Sequence, residues 1–256
     1  MDKTIYVGGG YSSDYSTAYN ATYAFTLSGT WPALVGDWRK LSGELRQRRG
    51  DYSMVAIGGA IYAYGGYEVY EVDSNKMWWC EPINTIEKYS IASDAWAPAG
   101  FQMTIASAEK DDGVSIDGRL YVIGGEVKAK QQNCVDTDIV PLKKVYSINP
   151  LTAASEGWRE EMDLPEGRMR FMAESFEGSA YIFGGQGALI DSDTLPIKYS
   201  ALRITPGDAP APPALGPGPI AGIVIAALLL AAAAAVCACR RRAASPLFKG
   251  ASGAEV

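Results

Sequence analysis

The 256-residue sequence contains no histidine. That absence excludes Ser-His-Asp and Cys-His nucleophilic mechanisms, His-ligated zinc or copper, and an imidazole pH switch. Cysteine is scarce too: there are four, none in a Cys-x-x-Cys spacing, so a structural zinc site has no support. An excess of basic charge is also lacking. Lys and Arg number 23 against 29 Asp and Glu, a formal net charge of −6, which argues against nucleic acid as a partner. There is no P-loop, dinucleotide fingerprint or EF-hand loop. The run Gly8-Gly9-Gly10 follows a strand-like segment but opens no helix, so it predicts no phosphate site and no cofactor. Acidic pairs (Asp111-Asp112, Glu160-Glu161, Asp191 with Asp193) lie in loop-like stretches and read as solvated turn carboxylates rather than a general acid/base pair. The expectation is no enzyme, no catalytic residue and no metal. What the chain does have is 48% hydrophobic and 11% aromatic residues, enough for a core of one or two domains.

Charge is missing altogether from Ala209 to Cys239. Residues 206–219 form a spacer rich in Pro and Gly, stiff and extended because proline neither continues a helix nor donates to a ladder. Residues 220–239 are twenty apolar positions, about 30 Å as a helix, the thickness of a bilayer's hydrocarbon core. Eight Ile, Leu and Val among them favour insertion by about 2–5 kcal/mol. This predicts a single transmembrane helix with the lipid bilayer as its partner. The triplet Arg240-Arg241-Arg242 opens the basic tail, 240–256. By the positive-inside rule the tail is cytoplasmic and the N-terminal domain extracellular or lumenal. No signal peptide is visible in residues 1–30, so either an N-terminal leader is missing or the helix is a tail anchor with the domain in the cytosol. Cys237 and Cys239 sit at the inner boundary, as palmitoylation candidates or as plain helix residues. Asn20-Ala21-Thr22 is an N-glycosylation sequon.

Residues 1–205 carry an internal repeat. A short apolar run ends in a glycine pair four times, at Gly8-Gly9, Gly65-Gly66, Gly124-Gly125 and Gly184-Gly185, with spacings of 57, 59 and 60 residues. The last three runs follow another apolar strand across a tight turn (Gly58-Gly59, Asp117-Gly118, Glu177-Gly178), which is a hairpin signal. After each pair come a polar loop, a strand with Tyr and then a Trp: Tyr23 to Trp31 or Trp38, Tyr89 to Trp96, Tyr146 to Trp158. The unit is a four-stranded antiparallel meander that must stack on its neighbours to bury both faces.

The segment from Ile86 to Trp96, followed by Gly118 to Gly125, resembles the kelch repeat, whose hallmarks are an apolar run ending in Gly-Gly, a later Tyr and then a Trp. The resemblance covers about residues 5–204. It implies an all-β fold of kelch-like β-propeller blades, about four, followed by the transmembrane helix. Strands count as three, four, four and three, so the first and last blades are incomplete, which reads as part of a larger propeller or a compact four-bladed one. Some kelch proteins are copper oxidases, and the lack of histidine removes that branch.

The loops after Gly-Gly are long, about 67–84 and 126–142, and leave the same rim, where binding residues on a rigid scaffold tend to sit. The first of them carries Tyr67, Tyr70, Trp78 and Trp79, either interface anchors or packing on their own blade. Cys80 and Cys134 fall in these two loops and are a disulfide candidate. The leading expectation is a membrane-anchored module that binds protein or glycan. The alternatives are a carbohydrate-active enzyme using rim carboxylates such as Asp191 or Asp193, and a cytosolic tail-anchored scaffold.

Overall fold

The computed structural model describes residues 4–13, 17–29, 33, 35–71, 78–110, 113–128, 139–190 and 194–207, with side chains omitted at 69–71 and 78–80. All of these belong to one unit, Met1–Ala214. The spacer beyond 207, the expected transmembrane helix 220–239 with Cys237 and Cys239, and the basic tail lie outside the described residues. Among the described residues no helix is long and apolar enough to cross a membrane.

The described chain is almost entirely β. The first sheet has three strands, β1 (Thr4–Gly8), β2 (Thr22–Ser28) and β3 (Val35–Lys40). The second sheet begins with the hairpin β4 (Ser53–Ile57) and β5 (Ala60–Tyr64). A two-stranded ribbon then projects, β6 (Tyr67–Glu71) and β7 (Trp78–Pro82), before β8 (Thr85–Ser90) and β9 (Ala95–Gln102) complete the order β4-β5-β8-β9. The third sheet repeats this plan. The hairpin β10 (Val114–Ile116) and β11 (Arg119–Ile123) leads to a ribbon, β12 (Glu126–Lys128) and β13 (Ile139–Pro141). Then follow β14 (Val145–Ile148), one helical turn α1 (Ala153–Glu156) and the two-residue β15 (Arg159–Glu160). The last sheet holds β16 (Met172–Phe176), β17 (Ser179–Phe183) and β18 (Ala201–Ile204). All pairings are antiparallel, and the four sheets have three, four, four and three strands, the count that the repeat predicts.

Stacking follows from the two-residue period of a strand. In β5 all five residues are buried. Ile61 and Ala63 join Ala24, Leu41 and Leu45 in the core against the first sheet. Ala60, Tyr62 and Tyr64 join Leu120, Val122 and Ile148 in the core against the third. A third core, with Tyr121, Ile123, Phe171 and Ile182, lies between the third and last sheets. Each sheet is thus a blade, and Trp96 and Trp158 tie their blades to the one before. The Trp96 indole N–H donates to Thr22 Oγ1 at 2.9 Å, and that of Trp158 to the Gln102 carbonyl at 2.7 Å.

Two repeat assignments shift. The N–H groups of Gly9, Gly65, Gly124 and Gly184 donate to Ala21, Thr85, Lys144 and Ser200, residues at one place in the four blades. The first pair is therefore Gly9-Gly10, both at positive φ, while Gly8 lies in β1 opposite Thr22. Three consecutive glycines left that register open in the sequence. Tyr89 faces Ile61 across β5 and β8, and the matching residue opposite Leu120 is Ile148, so Tyr146 stands at the place of Glu87 instead. In the first blade Trp38, paired with Phe25, takes the place of Trp96, paired with Tyr89. Trp31 lies outside the described residues.

Candidate functional site

Both ribbons leave their blades directly after Gly-Gly, so they rise from the same end of the stack, opposite the hairpin turns. Close approach of backbone makes this end. The N–H groups of Gly10, Gly66 and Gly125 each donate to a carbonyl of the next blade, those of Arg49, Ser107 and Arg168, at 2.9–3.0 Å. A Cβ on Gly66 would lie 2.5 Å from the Gly50 carbonyl oxygen, which requires glycine there.

Beneath two of the glycine pairs lies a buried arginine. Arg49 Nη1 donates to the carbonyls of Gly65 (3.0 Å) and Thr85 (3.2 Å), and its Nη2 pairs with Glu87 at 2.7 Å. Arg168 repeats this with the Gly184 and Ser200 carbonyls. Glu87 also accepts from the N–H groups of Arg46 and Gln47, so the buried pair is well hydrogen-bonded. Between them, in the third blade, Ser107 takes the arginine's place. The buried Lys110 ammonium donates to the Ser107 carbonyl and hydroxyl, both at 2.7 Å. Burial pushes this lysine down to about 7.

The residues just after the glycine pairs, Tyr11, Tyr67, Glu126 and Gln186, meet those that follow the Arg and Ser positions by two, Asp51, Glu109 and Arg170. Backbone bonds string the latter together: Glu109 N–H to the Asp51 carbonyl (3.0 Å), and Arg170 N–H to the Glu109 carbonyl (2.8 Å). The Tyr67 hydroxyl donates to Glu126 Oε1 at 2.5 Å. Arg170 lies 3.2 Å from Glu109, 3.7 Å from Glu126, and donates to Gln186 at 3.2 Å. Lys128 is 3.9 Å from Glu126. Burial, reinforced by the charge of Asp51, pushes the Glu109 carboxyl up to about 8 despite Arg170. Burial and Glu126 likewise raise Tyr67. This end of the stack holds an ionisable centre at the base of the two ribbons. Outside it, between the Arg46-Gln47 turn and β8–β9, opens a groove of about 380 Å³ lined by Ile86, Pro98, Phe101 and Gln102. It exists because the β8–β9 register breaks between Thr85 and Glu87, where β9 bulges at Gly100.

The sequence-predicted residues divide. Tyr67 is buried at the ribbon's base, fixed to Glu126, and is no exposed anchor. Tyr70 and Trp79 are paired across the ribbon, as are Glu71 with Trp78 and Val69 with Cys80. Cys134, Asp191 and Asp193 lie outside the described residues. Asn20 is half-buried, and its amide donates to the Leu45 carbonyl (3.3 Å) and Glu44 (3.4 Å), contacts that a glycan there would have to displace. Among the described residues no group of acidic or cysteine side chains is placed to hold a metal. The ionisable centre escaped the sequence reading. Its one signal was a hydrogen-bonding side chain directly after the glycine pair in the last three repeats, Tyr67, Glu126 and Gln186, which Tyr11 joins once the first pair is Gly9-Gly10.

Comparison with known proteins supports a kelch-repeat protein. Residues 48–100 match the Kelch motif. The chain is 23% identical over 233 residues to Kelch domain-containing protein 3 of Bos taurus and of Homo sapiens, covering 83% of this chain and 54% of each relative. It is 30% identical over 118 residues to Kelch repeat and BTB domain-containing protein 12 of Danio rerio, covering 43% of this chain and 18% of that protein. The solved structure of YjhT aligns with a TM-score of 0.52 at 15% identity, over 82% of this chain and 64% of that one. The chain thus spans about half the length of the first of these relatives.

Proposed function

We propose that the chain is a protein-interaction module that engages its partner with the ribbon end of the blades. The observation that carries this reading is the pair of ribbons, β6–β7 and β12–β13, rising from adjacent blades at one end and pinned at their bases by the Tyr67–Glu126 bond. A pinned base presents the ribbon's residues in a fixed orientation, which lowers the ordering cost of association. Kelch-domain relatives support the same class of role. Residues 220–239 would hold the module at a membrane with the blades on the extracellular or lumenal side. Protein is the partner class favoured over glycan, because aromatic ribbon residues suit a protein interface.

The test replaces residues 70–79 with a Gly/Ser linker in the full chain and compares co-isolated proteins with those of a control altered at the Asp117-Gly118 turn. Loss of the same partners only in the ribbon variant is expected. Unchanged partners in the ribbon variant would overturn the reading. Membrane placement is tested separately, by carbonate extraction and protease protection of the tail.

One observation favours a second reading, an enzyme acting on carbohydrate with carboxylates at this end: a buried Glu109 carboxyl 3.2 Å from Arg170, pushed up by burial and by Asp51. Turnover by the full chain that disappears in Glu109→Gln would establish it.

A further inference from the structure

We propose that the groove beside β8 and β9 is a docking site for a segment of a partner protein that carries an acidic side chain beside an apolar one. It is separate from the ribbons, and the inference holds whether or not they engage a partner. Its walls belong to a complete four-stranded blade and to the turn that precedes β4. Phe101 is braced from both sides, 6.4 Å between ring centroids from Tyr62 of its own blade and from Trp158 of the next. The Gln47 amide is fixed as well, donating to Glu68 at 2.9 Å and accepting from the Thr85 hydroxyl at 2.6 Å. A Cβ on Gly100 would meet nothing within 4 Å, so the groove is open there. At about 380 Å³ it lies at the small end of ligand pockets, with room for one or two side chains.

The other blades show what this place takes. In the third blade Lys144 stands at the place of Thr85, and Glu160 at that of Pro98. Lys144 pairs there with Glu160 and, at 3.2 Å, with Asp163, so a cation and two carboxylates close the cleft from within. In the fourth blade Glu166, at the place of Gln47, pairs with Lys198 at 2.7 Å. The second blade has the cation without its carboxylate. Arg46 is exposed on the groove wall, and among the described residues no carboxylate pairs with its guanidinium. Glu87, which also lines the groove, is engaged by Arg49 and by the N–H groups of Arg46 and Gln47. Pro98 presents an exposed apolar ring where Glu160 brings charge. A carboxylate from outside therefore completes the pair, in the bidentate geometry that a guanidinium offers. Pro98 and Phe101 give an apolar neighbour of that carboxylate its contact. A recess of this size admits a side chain and not a flat bilayer surface.

The full chain in mild detergent is screened against an array of immobilised random octapeptides, and the bound peptides are remade with a fluorescent label for anisotropy titration. Bound peptides should share an Asp or Glu beside an apolar residue. Arg46→Glu should weaken their binding about tenfold or more, and a peptide with Lys in place of its acid should bind this variant again. Pro98→Glu supplies a carboxylate where the third blade has Glu160, and should weaken binding as much by answering Arg46 from within. Both side chains are exposed, and circular dichroism confirms that each variant folds. The Gly/Ser replacement of residues 70–79 should leave the affinity unchanged, which separates this site from the ribbons. An array without an acidic and apolar consensus overturns the proposal. Binding that survives Arg46→Glu, or that is lost in the ribbon variant, overturns it as well.

Discussion

Lys110→Met should stabilise the protein, although it removes two hydrogen bonds. The Lys110 ammonium is buried, donates to the Ser107 carbonyl and hydroxyl, and has Glu126 as the nearby charge. Its fall from 10.5 to about 7 means that the unfolded chain holds a proton between these values that the folded chain does not. Stability then rises with pH through that window, by about 1.4 kcal/mol per pH unit. The full penalty at low pH is about 5 kcal/mol, and at pH 7 about 4 kcal/mol. Loss of two bonds to Ser107 returns about 1 kcal/mol each. Lys110→Met should therefore gain about 2 kcal/mol at pH 7. Urea unfolding followed by tryptophan fluorescence, at pH 7, 8 and 9.5, measures both the gain and the slope. Wild type should gain about 2 kcal/mol relative to the variant between pH 8 and 9.5. Tyrosine and cysteine titration is common to both chains and drops out of the comparison. A variant less stable than wild type at pH 7, with the two pH profiles parallel, would refute the reasoning.

Glu109 has the opposite sign. Its folded carboxyl titrates near 8 and an ordinary glutamate near 4.5, so its contribution is present in acid and lost as pH rises through that window. Glu109→Gln should remove a fall of a few kcal/mol between pH 5 and 8 in the same unfolding assay. Arg49→Met leaves Glu87 buried without its guanidinium partner and should cost about 3–5 kcal/mol, read as a lower urea midpoint. Gly66→Ala places a Cβ 2.5 Å from a neighbouring backbone oxygen at φ +95°, and should cost on the order of 3 kcal/mol or more. Gly58→Ala meets open space at φ +59° and should cost about 1 kcal/mol, so a midpoint comparison separates crowding from backbone strain. Trp96→Phe loses the bond to Thr22, about 1 kcal/mol, and should speed amide exchange in β2 more than in β14.

The strand plan was legible because each of its signals is local. The apolar run in Ala60–Tyr64, a two-residue turn such as Asp117-Gly118 and a terminal glycine pair all lie within a dozen residues. Register was less legible where local signals were degenerate. Three glycines at 8–10 offer two pairs, and only the bond from Gly9 to Ala21 chooses between them. Tyr146 follows the Tyr–Trp rhythm, yet pairing with Val122 puts it one step from the Tyr89 position and leaves Ile148 in the core. The ionisable centre was invisible for a physical reason. Tyr67 and Glu126 are 59 residues apart, and Arg170 meets Glu109 and Glu126 only after three blades have stacked. An aromatic residue in a long loop reads as exposed until the acceptor that buries it is known.

Site-specific photo-crosslinking in intact cells tests the central claim, that partners are engaged at the ribbon end. A photoreactive phenylalanine replaces Tyr70 on one ribbon, Val140 on the other, or Asp117 at the opposite turn, in the full chain. The account predicts discrete protein adducts from positions 70 and 140 and none from 117. Adducts from 117 alone, or equal labelling at all three positions, would contradict it.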